Sequence, residues 1–136
     1  MNTVLMPVAV VKDGDKVLLR KMDPAKSPYD QLWALFGGRV DGEASVTEAL
    51  NKELIARWNF SVSIAEKLWW DEEIKVDHDG EEKRFIYLDA ICAVESGDPH
   101  PVNENETLEW VTVSELCHYD INPPTKVVLQ RLGYLG

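Results

Sequence analysis

One stretch in the middle of the chain, "LFGGRVDGEASVTEALNKELIARWNF", limits the fold more than any other. Ser45 and Glu48 have the spacing of a capping box, which starts a helix near Val46. Val46, Leu50, Leu54 and Trp58 recur every fourth residue with Ala49 beside them, so that side of the helix faces a core. Glu53, Ala56 and Arg57 share a neighbouring face by their three- and four-residue spacing. The paired glycines before the helix, Gly37 and Gly38, allow backbone conformations and close approaches that a Cβ would block.

The flanking sequence supplies strands. "TVLMPVAVV" and "KVLLRK" are apolar, β-branched runs joined by the turn signal "KDGD". "DPAKSPYDQ" reads as a polar loop and "LWALFGG" as a short strand ending in the glycines. "SVSIAEKLWWDEEIKV" and "KRFIYLDAICAV" read as strands around a "DHDGEE" turn, a solvated acidic hairpin. "LEWVTV" is a further strand, "SEL" a short turn, and "NPPTKVVLQRLGYLG" a terminal helix with prolines at its start. Strands, one central helix, more strands and a last helix suggest an α+β fold or a mixed-sheet sandwich. Residues 1–136 are expected to form a single domain.

Composition excludes several classes. A net charge of −10 argues against a nucleic-acid backbone or an anionic membrane as main partner. A small phosphorylated ligand remains compatible, because a cation or a few local arginines offset the field. No apolar run is long enough to span a bilayer. The N-terminus lacks a basic region before its apolar part, so it reads as a first strand and the cytoplasm is the expected compartment. Cys92 and Cys117 lack CxxC spacing and read as free thiols, and His78, His100 and His118 form no ligand pair.

With these elements in place, the chain resembles the Nudix hydrolases. Their pattern is G-x5-E-x7-R-E-U-x-E-E-x-G-U, with U a bulky aliphatic residue. Laid from Gly38 without gaps, this sequence keeps Gly38, Glu53 and Leu54 and has conservative replacements at Lys52 and Phe60. It departs at Ala44, Ala56, Arg57 and Asn59. "QLWALFGG", "LEWVTVSEL" and "HYDINPPTKVVLQRLGYL" extend the likeness along nearly the whole chain, toward a bacterial, MutT-like branch acting on pyrimidine deoxynucleoside triphosphates.

The resemblance implies a Nudix-type α/β/α sandwich that cleaves phosphoanhydrides of nucleoside di- or triphosphates with Mg2+ or Mn2+. Of the helix acids only Glu53 survives, and Arg57 follows it by one turn, the favourable orientation for an intrahelical ion pair. Glu53 and Glu104 are the candidate catalytic acids, and Glu53 with Glu106 the candidate metal ligands. Gly37, Gly38, Arg20, Arg39 and Arg57 are the candidate phosphate-binding set, since guanidinium holds phosphate without a metal. Two readings follow: a hydrolase with weak or atypical catalysis, or an inactive module that binds a nucleotide. Of adjacent Trp69 and Trp70, one should face away from the core and suit a homodimer interface or a stacked base.

Overall fold

The computed structural model describes residues 1–26 and 31–136; residues 27–30 of the "DPAKSPYDQ" loop lie outside them. The elements run β1 (Thr3–Asp13), β2 (Lys16–Lys21), β3 (Phe36–Gly37), α1 (Val46–Trp58), β4 (Phe60–Val76), β5 (Glu82–Gly97), β6 (Thr107–Thr112), a 3-10 helix (Val113–His118) and α2 (Pro123–Arg131). The sheet is ordered β4-β5-β1-β2-β6, with β3 paired to β1. β1 and β5 are parallel and the other pairs antiparallel, so the sheet is mixed as expected.

Alternation along β1 divides the interior in two. Ala9 and Val11 pack with Leu50, Leu54 and Trp58 of α1, Phe36 and Phe60. Val10 packs in a second cluster with Val128 and Leu129 of α2, Leu35 and Leu116. Successive strand residues point to opposite faces, so a β-branched run with no polar break is what a sheet covered on both sides requires. The two helices thus take opposite faces, and the α/β/α sandwich is realised.

The capping box forms as the sequence dictates. The Ser45 hydroxyl accepts from the Glu48 amide, and the Glu48 carboxylate accepts from the Ser45 amide. The far end of α1 is closed by Asn59 in the left-handed region at φ 60°, which lets the chain turn directly into β4. Asn tolerates this conformation better than any residue but glycine, and its side chain donates to the Asp98 carbonyl at 3.1 Å.

Two expectations are revised. Of "LWALFGG", only Phe36–Gly37 is strand, flanked by single bridges at Trp33 and Ala34. The reason is local: the Leu35 amide donates to Thr125 Oγ1 and the Leu35 carbonyl accepts from Arg20 Nε, so side chains take the groups a ladder would use. The acidic turn is also more than a solvated hairpin. The Asp77 side chain is only 7% exposed and is held by Arg39, Lys83 and His78. These bonds, that to Arg39 first, hold its carboxyl far below the usual carboxylate range.

A β-branched residue at position 59 meets the full cost of the left-handed region, about 1–2 kcal/mol. Asn59→Val is therefore expected to lower the melting temperature by several degrees in a circular-dichroism melt, whereas Asn59→Gly should stay close to the parent.

Candidate active site on the Gly37–Gly38 turn

The glycine turn is packed tightly against α1. A Cβ on Gly38 would stand 3.3 Å from the Leu50 Cα and 3.6 Å from the Pro7 Cγ. Neither Gly37 nor Gly38 has positive φ, so close approach and not backbone freedom is what these glycines supply.

Beyond the turn, the loop from β5 to β6 docks on the end of α1. The His100 amide donates to the Trp58 carbonyl and the Val102 amide to the Arg57 carbonyl, satisfying two groups that a helix end leaves open. Asn103 fixes the same loop to Asp23, donating from Nδ2 at 3.1 Å. That bond and one from the Ala25 amide, the latter contributing most, lower the Asp23 pKa. The docking delivers Glu106 to the face of α1 that carries Glu53.

Arg57 joins the two acids. Its Nη1 donates to Glu53 Oε1 at 3.1 Å and its Nη2 to Glu106 Oε2 at 3.0 Å. The Glu53 side chain is 40% exposed, that of Arg57 34% and that of Glu106 only 5%. Met22 Sδ accepts from both Arg20 and Arg57. Beside this cluster lies a cavity of about 310 Å3 lined by Gly37, Gly38, Arg20, Arg39, Glu53 and Arg57, among others. The structure therefore brings five of the expected phosphate-site residues and Glu53 to one place. Glu104 lies exposed on its loop, outside that lining. Arg39 lines the cavity but directs both Nη groups to Asp77.

Comparison with known proteins bears on the family and the fold. The NUDIX domain pattern matches residues 3–132. The chain belongs to the NUDIX domain family. It is 29% identical over 146 aligned positions to "Nucleoside triphosphatase NudI" of Escherichia coli O81 (strain ED1a), covering 98% of each chain. A MutT NUDIX hydrolase from Burkholderia pseudomallei superposes with a TM-score of 0.66 at 18% identity, covering 97% of this chain and 99% of that one. A NUDIX hydrolase from Nitrosomonas europaea gives 0.70 at 20% identity, covering 96% and 70%.

Nudix hydrolases generally use divalent ions, so the donors here can be tested against that requirement. Magnesium takes oxygen ligands in octahedral geometry. Glu53 and Glu106 are the nearest acids, and both are bound to one guanidinium. Among the described residues no three His, Cys, Asp or Glu side chains converge. A dication about 4 Å from Arg57 would be repelled by roughly 8 kcal/mol at an effective dielectric near 20. As arranged, these residues do not fit the family's metal. At the glycine position of the Nudix pattern, Asn59 performs the same turn, so that departure is conservative.

A second, larger cavity of about 600 Å3 was not anticipated. It lies beyond Pro7 and Leu50 and is lined chiefly by apolar groups, with Asp89 and Trp69 among them. Asp89 is 5% exposed, and burial, reinforced by Asp71, pushes its carboxyl up to about 6, eased by Trp69 and Arg131. The signal was present in "KRFIYLDAICAV", where one acid interrupts a buried apolar run.

Two measurements follow. Arg57→Ala leaves Glu106 buried without its partner and should cost about 1–3 kcal/mol in urea unfolding. Adding Glu106→Gln should recover much of that loss, whereas Glu53→Gln alone should cost under about 0.5 kcal/mol. For Asp89 the sign is opposite to that of a paired acid. Between its ordinary value near 3.8 and about 6, the folded chain holds a proton that the unfolded chain has released. Its contribution to stability therefore falls by about 3 kcal/mol as pH rises through that window and is level above it. Asp89→Asn should remove this fall and raise stability at pH 7.5.

Proposed function

We propose that this chain binds nucleoside triphosphate-type substrates, seating their phosphates against the Gly37–Gly38 turn, and hydrolyses the phosphoanhydride slowly. The observation that carries the reading is the convergence of Arg20, Arg39 and Arg57 on one cavity beside Glu53. Arg57 supplies a built-in cation at a position where the Nudix pattern has an acid. Guanidinium matches phosphate geometry in two parallel hydrogen bonds and stays charged at every relevant pH.

In this reading an arriving phosphate competes with Glu53 for Arg57. The exposed half of the clamp is the weaker one, since an intrahelical pair is worth about 0.2–0.5 kcal/mol, while the buried Glu106 keeps the guanidinium anchored. Glu53, released from Arg57, is the carboxylate placed to take a proton from water. The water oxygen then forms the new bond to phosphorus, the bridging P–O bond breaks, and the leaving phosphate departs with the electron pair. General-base help of this kind is worth about 10²–10⁴-fold, which accounts for slow rather than fast turnover.

The second reading, a module that binds nucleotide without cleaving it, is favoured by the closed Glu53–Arg57–Glu106 clamp. One experiment separates the two. A panel of nucleoside triphosphates is incubated with the protein, with and without Mg2+ or Mn2+, while phosphate release and binding are followed. Turnover that disappears in Glu53→Gln supports the hydrolase. Binding in the micromolar range with no release selects the binding module, and neither binding nor release refutes both. In the same assay Ala56→Glu with Arg57→Glu should raise metal-dependent turnover, because it restores two acids and removes the opposing charge.

A further inference from the structure

β4 forms one edge of the sheet. Among the described residues β5 is the only strand hydrogen-bonded to it, although β4 runs for 17 residues. An edge strand carries a row of unpaired N–H and C=O groups, and natural folds blunt that row with bulges, charges or short strands. The opposite edge, β6, has only 6 residues and leads directly into the 3-10 helix. β4 is blunted over its first part alone. Its pairing with β5 shifts register between Ser61 and Val62, between Ile64 and Glu66, and between Lys67 and Trp70. At the last of these, Lys67 stands opposite Ala90 and Trp70 opposite Leu88, so Leu68 and Trp69 share the position facing Asp89 in a bulge.

Beyond that bulge the ladder is regular, from Trp70 opposite Leu88 to Val76 opposite Glu82. Alternate residues share a face, so Trp70, Glu72, Ile74 and Val76 line one side and Asp71, Glu73 and Lys75 the other. Trp70 is 69% exposed, Ile74 52% and Val76 63%. A regular open edge bearing exposed apolar side chains is the surface to which another strand adds.

The segment is complementary to itself. Alternate residues turn their N–H and C=O groups to the open edge, so a two-fold axis between antiparallel copies must pass through a residue. With the axis at Glu73, Trp70 meets Val76, Glu72 meets Ile74 and Asp71 meets Lys75, each twice. An exposed indole then covers an exposed valine, and opposite charges stand directly across, both favourable cross-strand pairs. The Asp71 and Lys75 side chains are each 46% exposed, open to a second partner while Asp71 holds Arg131. Glu73 meets its own copy, and Lys75, whose Nζ lies 4.0 Å from the Glu73 carboxylate, offsets that like-charge contact. Other registers fit worse. An axis at Glu72 sets Asp71 against Glu73. An axis at Ile74 matches Glu73 with Lys75 but sets Asp71 against Asp77, and Trp70 against the turn residue His78.

We infer that two copies of this chain associate through the Trp70–Val76 edge, antiparallel and centred on Glu73, so that their sheets become one. The two-fold uses the same edge on both copies and closes the assembly at a dimer. A contact of this length is at the small end of specific interfaces, which puts its dissociation constant in the micromolar range. It needs no ligand and stands independently of the phosphate site.

The test is sedimentation velocity of the full chain without ligand, from micromolar to millimolar concentration. The expected result is a monomer that passes to a dimer and no further. Trp70→Lys and Val76→Lys, both at exposed positions, each keep the chain monomeric across that range. Glu73→Gln, which removes the like-charge contact, tightens the dimer severalfold. Charge exchange tests the register. Asp71→Lys alone and Lys75→Asp alone each set like charges across the axis and abolish the dimer. An equimolar mixture of the two variants forms a mixed dimer, because every contact between those positions is again of opposite sign. A monomer at all concentrations overturns the inference, as does growth beyond the dimer or a dimer that survives Trp70→Lys. A mixture that stays monomeric overturns the register centred on Glu73. Melting curves of each variant separate lost association from lost folding.

Discussion

A guanidinium held between a surface acid and a buried one is the interaction around which this end of the molecule is organised. Glu106 is delivered to α1 by a loop whose amides close the last turn of the helix, and a carboxylate so deeply placed requires a cation. Arg57 is that cation. Once it is fixed on Glu106, the same side chain reaches Glu53 one turn earlier, and the spare acid of the Nudix helix becomes a partner of arginine. Loop docking, helix termination and the chemistry of the site are therefore one arrangement.

Helix polarity sharpens the point. Phosphate often sits at the N-terminus of a helix, where free amides and the dipole favour negative charge. Here the cavity that holds the arginines lies along the C-terminal half of α1, where the dipole opposes an anion and favours Arg57. A phosphate at this end needs positive charge from elsewhere. Enzymes of this family generally meet that need with divalent ions, and this chain lines the cavity with three arginines, in a protein whose net charge is −10.

What the sequence disclosed and what it hid follow from the range of the interactions involved. The capping box, the fourfold spacing from Val46 to Trp58, the Glu53–Arg57 pair and the unbroken β-branched strands are local patterns, and each appears in the structure where the residues place it. The Glu106–Arg57 contact joins positions 49 apart, and the Arg39–Asp77 contact joins positions 38 apart. Neither leaves a mark on its own neighbourhood. Asn59 was legible only as a departure from a glycine, although its capacity for the left-handed turn makes it an equivalent. The bulge opposite Asp89 depends on pairing between two strands, so a period-two reading of either strand alone runs straight through it.

The contrast between the two cavities finally bears on why Asp89 stands where it does. Among the described residues the other acids with little-exposed side chains have cationic or hydrogen-bonding partners: Asp77 has Arg39 and Lys83, Glu106 has Arg57, and Asp23 has Asn103 and an amide. Asp89 has only the Trp69 indole and Arg131 to set against its burial and the nearby Asp71, so its ionised form weakens the fold. An asparagine would pack as well without that penalty.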